Sequence, residues 1–376
     1  MFEDRILINN DRLSKFKAFF TASNTSWIVF GIIILAGILV RIFLWDFSSS
    51  DMIVWKEAAE YLLQGKNPYE YTLESFQNEG MKHFYAYFPL WLYICSLILL
   101  IFPETWFFGM VKGLILLFDI QVVILLLYIL QPKVKDTWRL KIPIAIWFIT
   151  PIVLMTSSMH GKFDSLMFVF ILAACIAHEK DNLIFESIFL SLAILTKPIA
   201  LIIIPFFYRK EFREKNFRKI FSKIGLLLLP FILFSIPFLG QPLIYLQGSL
   251  GVHVTRDFDM APLFMLLSLP FSSPEADRII RIVLTVIIFL SWVGLIILSY
   301  FKEYDIYKSI LFTFIMFNTL YWVFLVQYTV WIYTFYIPVT SKSKMKHWQL
   351  GTLTSGIIIL STVLLALLGA FVKVGL

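Results

Sequence analysis

The length of its apolar runs constrains this chain more than any other feature. Residues 27 to 45, 106 to 130, 279 to 301 and 350 to 372 form near-continuous apolar stretches, each close to or beyond the ~20 residues a helix needs to cross ~30 Å of hydrocarbon. Inside hydrocarbon every backbone N–H and C=O must find a partner within the protein, so helices and closed barrels are the available spanning forms. The other apolar blocks are long and helical in pattern rather than alternating, which does not fit a β-barrel. Composition excludes a water-soluble domain: 15% of residues are charged and 59% hydrophobic, where a soluble domain carries about 25% charge. The expectation is an all-α polytopic membrane protein, one domain over residues 1–376, with about 10–12 membrane helices. The first run follows a basic stretch, is too long for a signal h-region and has no small-x-small cleavage site behind it, so it is expected to stay as an anchor.

Cys95 and Cys175 both sit inside apolar runs, which points away from a disulfide or a metal cluster. The net charge of +7 could signal nucleic acid, but the basic residues lie in short loops between spans rather than on one soluble face. No nucleic-acid partner is expected, and the lipid bilayer is the partner the charges report.

Basic loops mark the cytoplasm. Segment 1–26 (Arg5, Arg12, Lys15, Lys17), loop 131–141, loop 209–223 with its seven Lys and Arg residues, and loops 302–308 and 341–347 define one inner face. The N-terminus is then a cytoplasmic tail of a multi-pass plasma-membrane protein. The large non-basic loops 46–85 and 241–277 fall outside. An odd number of crossings must separate 46–85 from the basic loop at 131, so one of the two apolar segments 86–101 and 106–130 does not span fully. Thr196-Lys197-Pro198 breaks 183–208 into two halves, which predicts a helical hairpin with its tip outward.

Under this topology the remaining polar clusters reach one external side: Ser48 to Asp51, His160 to Asp164, Thr196 to Pro198, His253 to Asp257 and Gln327-Tyr328. An ionisable group in the bilayer costs at least ~2.5 kcal/mol, so Lys162, Asp164 and Lys197 need partners or a watery cavity. Each cluster has a plainer reading. Asp51 precedes an amphipathic stretch ended by Gly65 and could serve as its N-cap; Lys162 and Lys197 could snorkel to headgroups; His160 and His253 could be interfacial histidines, and Gln327 and Tyr328 belt residues. The convergence favours one shared site.

The stretch Asp51 to Tyr69 resembles the first external loop of the PIG-M-like branch of GT-C glycosyltransferases. Further likenesses follow in order: Tyr87 to Trp91 is similar to that family's Tyr-x-Pro-Leu lead-in to the second helix, and Lys112 to Tyr128 with Asp119 to its next helix. Thr150-Pro151 through Asp164 resembles its small-residue turn ending in an acid, Lys197-Pro198 its Lys-bearing hairpin, His253 to Asp257 its His-x-Thr-Arg block, and Gln327-Tyr328-x-x-Trp331 its Gln-Tyr-x-x-Trp. Ser49 stands where the family usually carries the first acid of Asp-x-Asp, so a two-carboxylate metal bridge is not expected.

The resemblance implies a GT-C helical bundle that transfers a sugar, mannose favoured, from a polyprenyl-phosphate donor to a glycan or glycolipid acceptor at the external face, with inversion. Such a transfer needs one carboxylate to take the acceptor proton, a role the resemblance places on Asp51. Lys197 and Arg256, backed by His253 and Lys162, would steady the departing lipid phosphate. Asp164, His160, Tyr87, Gln327 and Tyr328 would position substrate. No metal ligand is assigned; one carboxylate per cluster holds an ion weakly, and a divalent cation (Mg or Mn) stays open as a cofactor. The alternatives are a transporter or flippase, against which the chain shows no internal repeat, and a non-catalytic membrane partner in envelope glycan assembly.

Overall fold

The computed structural model describes residues 24–47, 49–78, 85–131, 137–251, 274–321 and 327–341. Every regular element among them is helical. The principal helices are α1 (Asn24–Phe43), α2 (Ser50–Leu63), α3 (Pro68–Gln77), α4 (Pro89–Ile101), α5 (Phe107–Leu130), α6 (Thr137–Ile149), α7 (Asp164–Glu179), α8 (Leu183–Thr196), α9 (Phe217–Ser235), α10 (Pro274–Lys302), α11 (Ile306–Leu320) and α12 (Gln327–Ser341). Four helical stretches, Ser26–Asp46, Glu104–Leu130, Phe217–Phe238 and Arg278–Lys302, are long and apolar enough to cross a membrane singly. Leu140–Ile149 and Pro151–Met159 qualify together as a span bent by 47°. The chain is therefore an all-α polytopic membrane protein. The run 350–372 and the segments 1–23 and 342–347 lie outside the described residues.

Loop 46–85 contains two helices. Its first, α2, starts after Ser49, with Asp51 in the first turn, where a carboxylate meets the positive end of the helix dipole. Asp51 is not the N-cap, because the helix begins one residue before it. Met52, Trp55 and Ala59 recur at helical spacing and bury one face. Gly65, at φ 74°, ends the helix. In α3 Pro68 occupies the first turn and the Asn67 side chain accepts from the Tyr69 amide at 3.0 Å.

The two apolar segments of 86–130 differ in length. At 13 residues α4 rises only about 20 Å, short of the hydrocarbon thickness. Trp91 on α4 packs against Trp55 of α2 at 5.4 Å between ring centres. Glu104, just ahead of α5, pairs with Lys56 of α2. Both ends of α4 thus lie against α2, and of the two apolar segments only the one holding α5 is long and apolar enough to cross a membrane singly.

The opposite end of the bundle is fixed by charge. α7 descends from Asp164 and α8 rises to Lys197, an antiparallel pair whose far turn carries His178 and Glu186, 3.0 Å apart. After Lys197 the chain comes back down: Lys223 Nζ donates to the Phe207 carbonyl at 2.9 Å and pairs with Glu186 at 2.7 Å and with Glu211 at 2.9 Å. Segment 198–207 therefore returns alongside α8, as a broken hairpin requires. The expected loop 209–223 is largely helix, since Asn216 caps α9 by accepting from the Lys219 amide. Lys223, read as a topology anchor, is 2% exposed and locked between two buried glutamates.

Candidate active site

The turn between α6 and α7 builds the centre of the site. Pro151 breaks the helix, a π-turn covers Met155–Met159, and Gly161 adopts φ 63°. A side chain at Gly161 would collide with Met52 of α2, so the glycine permits both the left-handed turn and the close seating of the loop helix. The Lys162 amide donates to the Thr156 carbonyl at 2.8 Å, closing the turn so that α7 starts at Asp164.

Asp164 and Lys197 are buried together, 2% and 4% exposed. Lys197 Nζ donates to Asp164 Oδ1 at 2.8 Å, and Trp331 Nε1 of α12 donates to the same oxygen at 2.5 Å. The ammonium lies 5.0 Å from the Phe163 ring, 5.6 Å from Tyr87 and 6.0 Å from Trp331. A charge so enclosed is held by its carboxylate and by the ring faces together. Asp164 Oδ2 is buried without a hydrogen-bond partner among the described residues. A small cavity with room for about one water runs beneath, bordered by Asp119, Thr156, Ser157, Lys162, Asp164 and Ser165.

Asp51 stands at the more open edge. Its carboxylate pairs with Lys162, the two side chains being 31% and 18% exposed. The neighbouring Ser49 hydroxyl donates to the His160 carbonyl at 2.6 Å. Aromatic packing sets this register: Trp91 stacks on Phe163 at 4.3 Å, and Trp55 meets Phe163 edge-on at 5.0 Å. The loop helix is thereby pinned over the turn that carries Lys162 and Asp164. Loss of surrounding water and, second, the Lys112 ammonium push the His160 imidazole down from its ordinary pKa, although the residue keeps an exposed edge.

The structure thus gathers Asp51, His160, Lys162, Asp164, Lys197 and Tyr87 at one end of the bundle. Gln327 and Tyr328 join them at the start of α12. Tyr328 lies 4.4 Å from the Trp331 ring, and Gln327 sits one turn before Trp331 on the same face. His253 and Arg256 lie outside the described residues.

Several pairings escaped sequence reasoning. Trp331 was visible as the last letter of a motif but not as the donor to Asp164. Arg41 and Asp119, each inside an apolar run, form a buried pair at 3.1 Å. Asp119 also accepts from the Ser165 hydroxyl at 2.5 Å. A charged residue isolated in a span is itself a signal, and Arg41 and Asp119 both carry it.

Chemically, the arrangement offers a partly exposed carboxylate beside a cation, set over a buried carboxylate–ammonium pair and a small cavity of mixed lining. Among the described residues no group of three or more His, Cys, Asp or Glu side chains is placed to hold a metal ion.

No curated protein matches the chain. The sequence model of glycosyltransferase family 87 matches residues 91–328, from α4 to the first turn of α12, which takes in Lys162, Asp164 and Lys197 and leaves out the loop helix bearing Asp51. That match covers more than half of the chain, and the protein belongs to glycosyltransferase family 87, a family of GT-C-type membrane glycosyltransferases.

Proposed function

We propose that this glycosyltransferase moves a hexose, mannose favoured, from a polyprenyl-phosphate donor to a glycan or glycolipid acceptor on the extracytoplasmic face of the plasma membrane, inverting the anomeric centre. The observation that carries the reading is the Asp51–Lys162 pair, a half-open carboxylate and cation at the end of the bundle away from the basic loops. The PIG-M-like likeness of the loop motifs supports the lipid donor and the choice of mannose. The basic loops support a cytoplasmic N-terminus.

In this reading the Asp51 carboxylate accepts the proton of an acceptor hydroxyl as its oxygen attacks the anomeric carbon. The bond from that carbon to the lipid-phosphate oxygen breaks, and the electron pair leaves with the phosphate. A phosphate needs no proton to depart when cations stabilise its charge. Lys162 is the nearest such cation. Binding of the donor phosphate draws it from Asp51 and frees the carboxylate to act as base. Arg256 and His253 would complete the clamp. Lys197, neutralised by Asp164, is enclosed beneath this edge and would join the clamp only if the donor phosphate displaced Asp164. Tyr87, His160, Gln327 and Tyr328 line the approach of the substrates.

The test is a panel of polyprenyl-phosphate sugars and nucleotide sugars offered to the full chain in nanodiscs with a membrane-glycolipid acceptor pool. Release of lipid phosphate from one polyprenyl donor, with none consumed among the nucleotide sugars, is the expected result. Turnover of a nucleotide sugar alone would overturn the lipid-donor reading.

A further inference from the structure

Asp119 lies on α5, outside the set that the sequence assigned to the site, and its two oxygens join different elements. Oδ2 accepts from Arg41 Nε of α1 at 3.1 Å, and Oδ1 accepts from Ser165 Oγ of α7 at 2.5 Å. Arg41 itself is held by the Gly37 carbonyl at 3.2 Å and by the Phe148 ring at 3.8 Å. Both charged residues are essentially inaccessible, at 0% and 1% exposure. Ser165 adjoins Asp164, the carboxylate that holds Lys197 and Trp331, and Asp119 and Asp164 border the same small cavity.

A buried ion pair is a poor way to stabilise a bundle, because apolar side chains of similar volume commonly serve as well or better. What the Arg41–Asp119 pair supplies is direction: it anchors a hydroxyl in the first turn of α7 from two other helices. We propose that Asp119, held by Arg41, is a positioning residue of the transferase. It fixes Ser165 and thereby the orientation of Asp164 and the enclosure of Lys197. The effect on turnover rests on the lipid-donor reading above; the effect on Lys197 does not.

The experiment replaces the pair with apolar residues, Arg41→Met/Asp119→Leu, in the full chain in nanodiscs. It follows thermal unfolding, the kcat and KM for polyprenyl-phosphate mannose, and labelling of Lys197 by an amine reagent read by mass spectrometry. The variant is expected to unfold no lower than wild type while kcat falls at least about tenfold at unchanged donor KM, as for reacting groups displaced by a fraction of an ångström. Lys197 labelling, slight in wild type, rises about tenfold as the enclosure opens more often. Wild-type kcat together with wild-type protection of Lys197 overturns the proposal. If the wild type does not turn over this donor, the lipid-donor reading is what fails. Labelling then decides alone: exposure of Lys197 in the variant upholds positioning and protection overturns it. If the double variant does not fold, Ser165→Ala and Ser165→Thr take its place. Alanine is expected to expose Lys197 and threonine, which keeps the hydroxyl, to restore protection; equal protection in both overturns the proposal.

Discussion

Removing Lys197 from its enclosure gives the sharpest energetic test of the site. In Lys197→Met the Asp164 carboxylate, 2% exposed, keeps the Trp331 Nε1 donor at 2.5 Å but loses the ammonium at 2.8 Å. Breaking a buried ion pair from one side costs about 3–5 kcal/mol. In a bilayer the unfolded reference also finds polar partners, which places the expected loss near the lower end, about 3 kcal/mol. Asp164→Leu strands the Lys197 ammonium at 4% exposure and should cost about as much. The double variant strands neither charge and leaves only the Trp331 N–H without its acceptor, for about 1–2 kcal/mol. The cycle therefore predicts a coupling of at least about 3 kcal/mol between positions 164 and 197, large against ordinary neighbour effects. SDS-driven unfolding in mixed micelles, followed by tryptophan fluorescence, measures all four proteins. A coupling under about 0.5 kcal/mol, which amounts to additivity, would refute the enclosed pair.

Further expectations address the neighbouring elements. Gly161→Ala forces a side chain into φ 63° and against Met52; it should destabilise by about 1–3 kcal/mol and depress turnover by lifting Asp51 off Lys162, both read on the same purified protein. Lys223→Met leaves Glu186 and Glu211 buried without their shared cation and should cost about 3 kcal/mol; adding Glu186→Gln and Glu211→Gln should recover most of it in the same unfolding assay, and no recovery would mean the cluster is not held by charge. Trp331→Phe keeps the ring contacts but removes the donor to Asp164, a loss of about 1.5–3 kcal/mol for a bond to a charged group; an unchanged unfolding midpoint would contradict that bond.

How much of this was legible in the sequence differs by the range of the interaction. The spans were legible because the bilayer imposes length and apolarity locally, as in 27–45 and 106–130. The break at Lys197-Pro198 was legible because proline interrupts a helix wherever it sits. The common location of Asp51, Lys162, Asp164 and Lys197 followed from topology alone. Which groups pair did not: Asp51 finds Lys162, and Asp164 finds Lys197 and Trp331, partners that loop charge counts do not specify. Arg41 and Asp119 are separated by 78 residues, so no local pattern joins them, and each alone looks like an anomaly in an apolar run. The short α4 was hidden because 86–101 is as apolar as a true span; its length is set by Pro89 at one end and Pro103 beyond the other, and its placement by Trp55 and Glu104. Lys223 looked like one more cytoplasmic charge because its glutamate partners are distant in the chain.

Whether Asp51 is the base of a lipid-donor sugar transfer is decided by single-turnover release of polyprenyl phosphate by wild type and Asp51→Asn. The Asp51–Lys162 pair is part exposed and is worth at most about 1 kcal/mol to folding, so the variant should remain folded. The wild type should release lipid phosphate and the variant should do so at least about a hundredfold more slowly; release by Asp51→Asn at the wild-type rate would rule out Asp51 as the base.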